Sequence, residues 1–124
     1  MNEVSLADAA KAMASIWSPI DGGVTAPDGF EAAGVVAGLK PSGRPDLALI
    51  LAPDEAVCAG TFTTSVVRAA CVDLCAERLS SQNGRMRAVL INSGQANACT
   101  GDRGLLDSQR ATQAVADQLG LDPE

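Results

Sequence analysis

Apolar residues in this chain fall into short blocks separated by turn formers, and the block lengths predict several strands before one long helix. Leu47–Leu51 is an uninterrupted apolar run and reads as a buried strand. Pro53 breaks it, and residues 57–63 then read as its hairpin partner. Upstream, residues 30–39 are rich in Ala and Val with Gly34 and Gly38 among them, a pattern for a strand or hairpin with close backbone approach. Residues 40–45 (Lys-Pro-Ser-Gly-Arg-Pro) are a turn that continues no regular element. Residues 71–79 stay open between a strand and a short helix, with the helical pattern clearer over 76–79. Asn83-Gly84 ends that block, and residues 87–91 form a further strand. Near the carboxyl terminus Ala111, Ala114, Val115 and Leu119 share one face at helical spacing. Gly120 is placed as the cap of that helix, and Asp102 and Asp107 suit its amino-terminal end. The fold class that follows is an α/β or α+β layered domain.

Two segments sit outside this scheme. Residues 1–20 are an Ala-rich, weakly helical lead-in ending at Ser18-Pro19. At the other end, Leu121-Asp122-Pro123-Glu124 has the character of a connection to a further element, so residues 21–124 are expected to be one incomplete domain. No internal repeat or low-complexity stretch interrupts them.

Composition narrows the chemistry. Aromatic residues make up only 2% of a chain that is 47% apolar, so the core has to come from small aliphatic side chains packed in close layers. A formal net charge of −6 and scattered arginines leave no basic stripe for nucleic acid or an anionic membrane. No apolar stretch reaches the length of a membrane-spanning helix. The acidic amino terminus lacks a secretory pattern, which predicts a setting in the cytoplasm or an organelle matrix, the cytoplasm first, and four reduced, mostly buried thiols at Cys58, Cys71, Cys75 and Cys99. Cys71 and Cys75 have the spacing of a zinc half-site, but the chain contains no histidine and no second close cysteine pair. Neither a metal nor an organic cofactor is expected.

The most informative segment follows the strand at 87–91. Residues 92–101 read Asn-Ser-Gly-Gln-Ala-Asn-Ala-Cys-Thr-Gly, and here small and polar residues replace every large apolar one. Asn92, Ser93, Asn97 and Thr100 supply amide and hydroxyl groups, while Gly94 and Gly101 permit backbone conformations closed to other residues. A polar loop at the end of a core strand is a common place for a ligand. Equally, it can be a tight strand-to-helix connection whose side chains satisfy its own backbone. Cys99, beside a predicted helix start, is a candidate nucleophile or a small buried filler; no general base stands near it in the sequence.

Catalytic constellations can be excluded by subtraction. Without histidine there is no Ser-His or Cys-His nucleophile pair, and neither a phosphate-binding loop nor a dinucleotide fingerprint is present. Asp54-Glu55 is a carboxylate pair beside a proline turn, the setting of a solvated surface.

Five collinear segments together resemble the ornithine acetyltransferase family, the bifunctional glutamate N-acetyltransferases of arginine biosynthesis. They are residues 22–27 (Gly-Gly-Val-Thr-Ala-Pro) followed by Gly29-Phe30, 32–35 (Ala-Ala-Gly-Val), 40–50, 59–64 (Ala-Gly-Thr-Phe-Thr-Thr) and, above all, 92–101. Gln95 stands where the family usually has Asn, and Asp28 where Lys is common. The resemblance implies an α/β (α+β) layered sandwich, part of a self-cleaving amino-terminal-nucleophile fold, and a precursor, longer than this chain, that cuts itself before a threonine. The new amino-terminal threonine would take acetyl from N-acetylornithine, and in some members from acetyl-CoA, and pass it to glutamate. A Thr-Gly pair would form the oxyanion hole.

By the family's order those residues follow Glu124, so none of them lies in this chain. The implied partners are the rest of the α chain and a β chain carrying the nucleophile, in a hetero-oligomer. Asn92, Ser93, Gly94, Asn97, Cys99, Thr100 and Gly101 are then expected to support the catalytic centre from behind. The competing reading is a truncated paralogue that serves as a structural or binding module.

Overall fold

The computed structural model describes residues 18–54 and 56–123. The lead-in expected at 1–20 lies almost wholly outside them, as does Glu55 of the carboxylate pair. Three strands, β1 (Glu31–Val35), β2 (Leu47–Leu51) and β3 (Ala88–Asn92), form one antiparallel sheet in the order β1-β2-β3. Two helices, α1 (Ala70–Ser81) and α2 (Gly101–Leu119), complete an α+β architecture. The helix α1 is inserted between the central strand β2 and the edge strand β3, and α2 follows β3 through the polar loop.

Register sets the two faces. Leu49 stands opposite Leu90 and Leu51 opposite Ala88, while Ala48 faces Ile91 and Ile50 faces Val89. Because side chains alternate across a strand, Ala88 and Leu90 point to one side and Val89 and Ile91 to the other. Ala88 and Leu90 share a cavity with Thr112, Val115 and Ala116 of α2, which marks the helix-covered side. Val89 and Ile91, by contrast, are exposed.

Several expectations change here. Residues 58–63 form no strand, and Val57 makes only an isolated bridge, to Arg85. Both edges of β2 are already occupied by β1 and β3, so no hairpin partner can pair there. Residues 71–79 are helical throughout, and acidic Asp73 in the first turn with Arg78 in the last suit the helix dipole. Gly120 caps α2 in the left-handed conformation as expected.

The stripe on α2 shifts. Ala111, Ala114 and Leu119 are exposed, and Leu105, Ser108, Thr112, Val115 and Ala116 take the covered face. Ser108 and Thr112 can turn inward because each hydroxyl donates to the carbonyl one turn back, Gly104 at 2.8 Å and Ser108 at 3.1 Å. The thiols also differ from expectation. All four are free, but Cys58, Cys75 and Cys99 are exposed and only Cys71 is half-buried.

Candidate functional site

The site is built outward from β3. Its last residue, Asn92, pairs with Leu47, and the chain then leaves the sheet. The amide of Ser93 donates to the carbonyl of Asp46 at 2.9 Å, which sets the exit direction of the loop. Asp46, 3% exposed, is the one buried charged residue among those described. Its carboxylate accepts the amides of Ala37 at 2.6 Å and Lys40 at 2.7 Å, closing the turn between β1 and β2. Its own amide donates to Val35. One residue therefore fixes both the hairpin turn and the start of the loop. The Lys40 amide, followed by that of Ala37, holds the Asp46 carboxyl below the usual carboxylate range against the opposing effect of burial. Asp46 stands inside a segment matched to the family in the sequence, but nothing in its local pattern marks it as a hub.

Gly94 is the next constraint. At φ +105 it adopts a conformation that disfavours side chains, and a Cβ there would lie 2.6 Å from Lys40 Cγ and 3.3 Å from the Leu39 carbonyl. The loop can pass this close to the β1–β2 turn only because Gly94 has no side chain. Farther on, Ala98 bridges Ala69, and the Cys99 amide donates to the Arg68 carbonyl at 3.3 Å. The loop is thus sewn to the segment that enters α1. Asn97, half-buried, donates its side-chain amide to Cys71 Sγ at 3.5 Å, and Thr100 Oγ1 donates back to the Asn97 carbonyl at 3.0 Å.

Two functional classes of residue separate on this geometry. Asn97, Thr100 and Gly94 are internal struts. The side chains of Asn92 and Ser93 are exposed and form no side-chain hydrogen bond among the described residues, as is true of Gln95. They leave a polar rim open to whatever lies against the loop.

Cys99 is not the buried filler considered above: it is exposed and sits at φ +56, an uncommon conformation for a residue with a Cβ. Gly101, the first residue of α2, has φ +57, so the chain turns sharply as the helix begins. Thr100 precedes the helix without making a side-chain cap. Near the half-buried Cys71, burial followed by the neighbouring thiol pushes Cys75 up even though part of its side chain reaches the surface, which keeps it protonated and unreactive at neutral pH. Among the described residues, no group of acidic or cysteine side chains is arranged to hold a metal ion.

Residues 31–124 match the ArgJ family. The arginine biosynthesis bifunctional protein ArgJ of Parasynechococcus marenigrum is 75% identical over 113 residues, covering 91% of this chain and 28% of that protein. Its counterpart in Prochlorococcus marinus strain MIT 9313 is 69% identical over the same length, covering 26% of that protein. Among solved structures, ornithine acetyltransferase of Mycobacterium tuberculosis in complex with ornithine superposes with a TM-score of 0.73 at 48% identity, covering 79% of this chain and 50% of that one. ArgJ of Bacillus halodurans gives 0.72 at 34% identity. The chain spans about a quarter of the length of these curated relatives and about half of the solved chains.

Proposed function

Since the chain belongs to the ArgJ family, we propose that it is the leading part of the α chain of a glutamate N-acetyltransferase in arginine biosynthesis. The reaction moves acetyl from N2-acetylornithine to glutamate in two half-reactions. An amino-terminal threonine outside this chain attacks the acetyl carbonyl, its own amine acting as base, and ornithine leaves. Glutamate then takes the acetyl group from the threonine. Acetyl-CoA is a second possible donor for the first half-reaction. The partners are the rest of the α chain and a β chain bearing that threonine, assembled in the cytoplasm.

The observation that carries this reading is the 75% identity over 113 residues, 91% of this chain. Within such an enzyme this chain supplies scaffold. β3 aims the loop, Asp46 and Gly94 fix its exit, and the Asn97–Thr100 struts hold its far end against α1. Among the described residues only Leu74 and Ala116 are buried hydrophobics, which favours a part of a larger body over a free-standing module.

The test is expression of the full-length gene product. Its α and β chains should appear by self-cleavage, and the pair should form acetylglutamate from N-acetylornithine and glutamate, while the 124-residue chain alone forms none. Acetylglutamate production by the short chain, or an uncleaved and inactive full-length product, overturns the proposal.

A further inference from the structure

We propose that the cavity enclosed by the end of α1, the covered side of β3 and the carboxyl-terminal half of α2 binds a small organic carboxylate with a short aliphatic body. The cavity holds about 240 Å³, below the roughly 300–1,000 Å³ of sites for drug-sized ligands and suited to a metabolite. It lies at the Ala88 end of β3, whereas the polar loop leaves from the Asn92 end. This inference does not depend on the acetyl-transfer reading.

The wall carries three guanidinium groups and one carboxylate, that of Asp122. Arg87 is committed, donating to the Ala52 carbonyl at 3.0 Å and pairing with Asp54. Arg78 and Arg85 also line the space, and no side-chain hydrogen bond or ion pair engages either of them among the described residues. Arg78 and Arg85 outnumber the single carboxylate of Asp122, and on a chain of net charge −6 this local excess of positive charge is not the by-product of a generally basic surface. Guanidinium forks match planar carboxylates, and partial enclosure strengthens that pairing relative to open water.

The remaining wall decides between anions. Met86, Leu90, Val115 and Leu121 offer apolar surface that would cover methylene groups. Inorganic phosphate has nothing to place there and would lose hydration, so a carboxylate with an aliphatic body is the better occupant.

Arginine footprinting on the full-length protein carrying this chain tests the proposal. Phenylglyoxal labelling is read at Arg78 and Arg85 individually by mass spectrometry, so binding elsewhere does not contribute. Glutarate at ten times its half-saturating concentration should slow labelling of both by about tenfold through simple occupancy. Uncharged glutaramide should give no protection, and phosphate should require a much higher concentration. R85Q, a change at an exposed side chain, should weaken glutarate protection of Arg78 by roughly tenfold, the worth of one charge-assisted contact. Absence of glutarate protection, equal protection by glutaramide or phosphate, or unchanged protection of Arg78 in R85Q each overturns the assignment.

Discussion

Asp46 concentrates more structural responsibility than any other side chain described. Its carboxyl titrates lower in the folded protein than in the unfolded one, so the stability it contributes is present above the unfolded value, near 3.9, and is lost as pH falls through the lower folded value. Thermal melts of the full-length protein should therefore weaken below about pH 4. In Asp46→Asn the melting temperature should drop at neutral pH and the acid dependence should flatten; parallel acid profiles for the two proteins would reject this role.

Gly104 makes an opposite point about local rules. Alanine inside a helix ordinarily stabilises by about 1 kcal/mol over glycine. Here a Cβ would fall 2.7 Å from Thr100 Cβ and also meet the Thr100 hydroxyl, and no side-chain rotation removes the first contact. Gly104→Ala should thus destabilise, by about 1–3 kcal/mol as overpacking does, measured by denaturant unfolding. In the loop, Asn97→Ala should lower stability by about 1 kcal/mol through the lost contact to Cys71. Ser93→Ala should leave stability within about 0.5 kcal/mol while reducing acetyl transfer in the full-length enzyme. Equal stability losses in both variants would erase the distinction between strut and rim. The polar character of this loop was readable from residue types, but the division of labour was not, because it depends on Arg68, Cys71 and Asp46, which approach it only in three dimensions.

At the scale of elements, the strands at 47–51 and 87–91, the cap at Gly120 and the existence of the last helix followed from apolar run length and turn chemistry. The failures share one cause. Residues 57–63 have strand-like composition but no free edge of β2 to pair with, and the covered face of α2 includes small hydroxyl residues that satisfy themselves on carbonyls of their own helix. Both outcomes are tertiary choices that override local preference. The sheet leaves one consequence open to measurement. Among the described residues nothing pairs with the outer edge of β3, and Val89 and Ile91 are 46% and 45% exposed. Such an edge invites association. On size-exclusion chromatography the 124-residue chain should elute as oligomers, and Ile91→Lys should shift it toward monomer. A clean monomer for the unmodified chain would count against this.

For the described residues as a whole, a sheet with one side only partly covered and two helices packed mainly on each other make a body whose cohesion is unevenly spread. The β1–β2 hairpin closes over a short turn, whereas β2 and β3 meet only after the chain has travelled through all of α1. Closing the short loop costs less entropy and should come first. Asp46 belongs to both closures, through its carboxylate in the early one and its carbonyl in the late one. The residue that shapes the finished loop is thereby a checkpoint in time as well: until the hairpin has captured its carboxylate, its carbonyl has no fixed position at which to receive Ser93. Substitutions at Asp46 should accordingly slow refolding, whereas those at Asn97 should mainly speed unfolding, a contrast that stopped-flow kinetics would reveal.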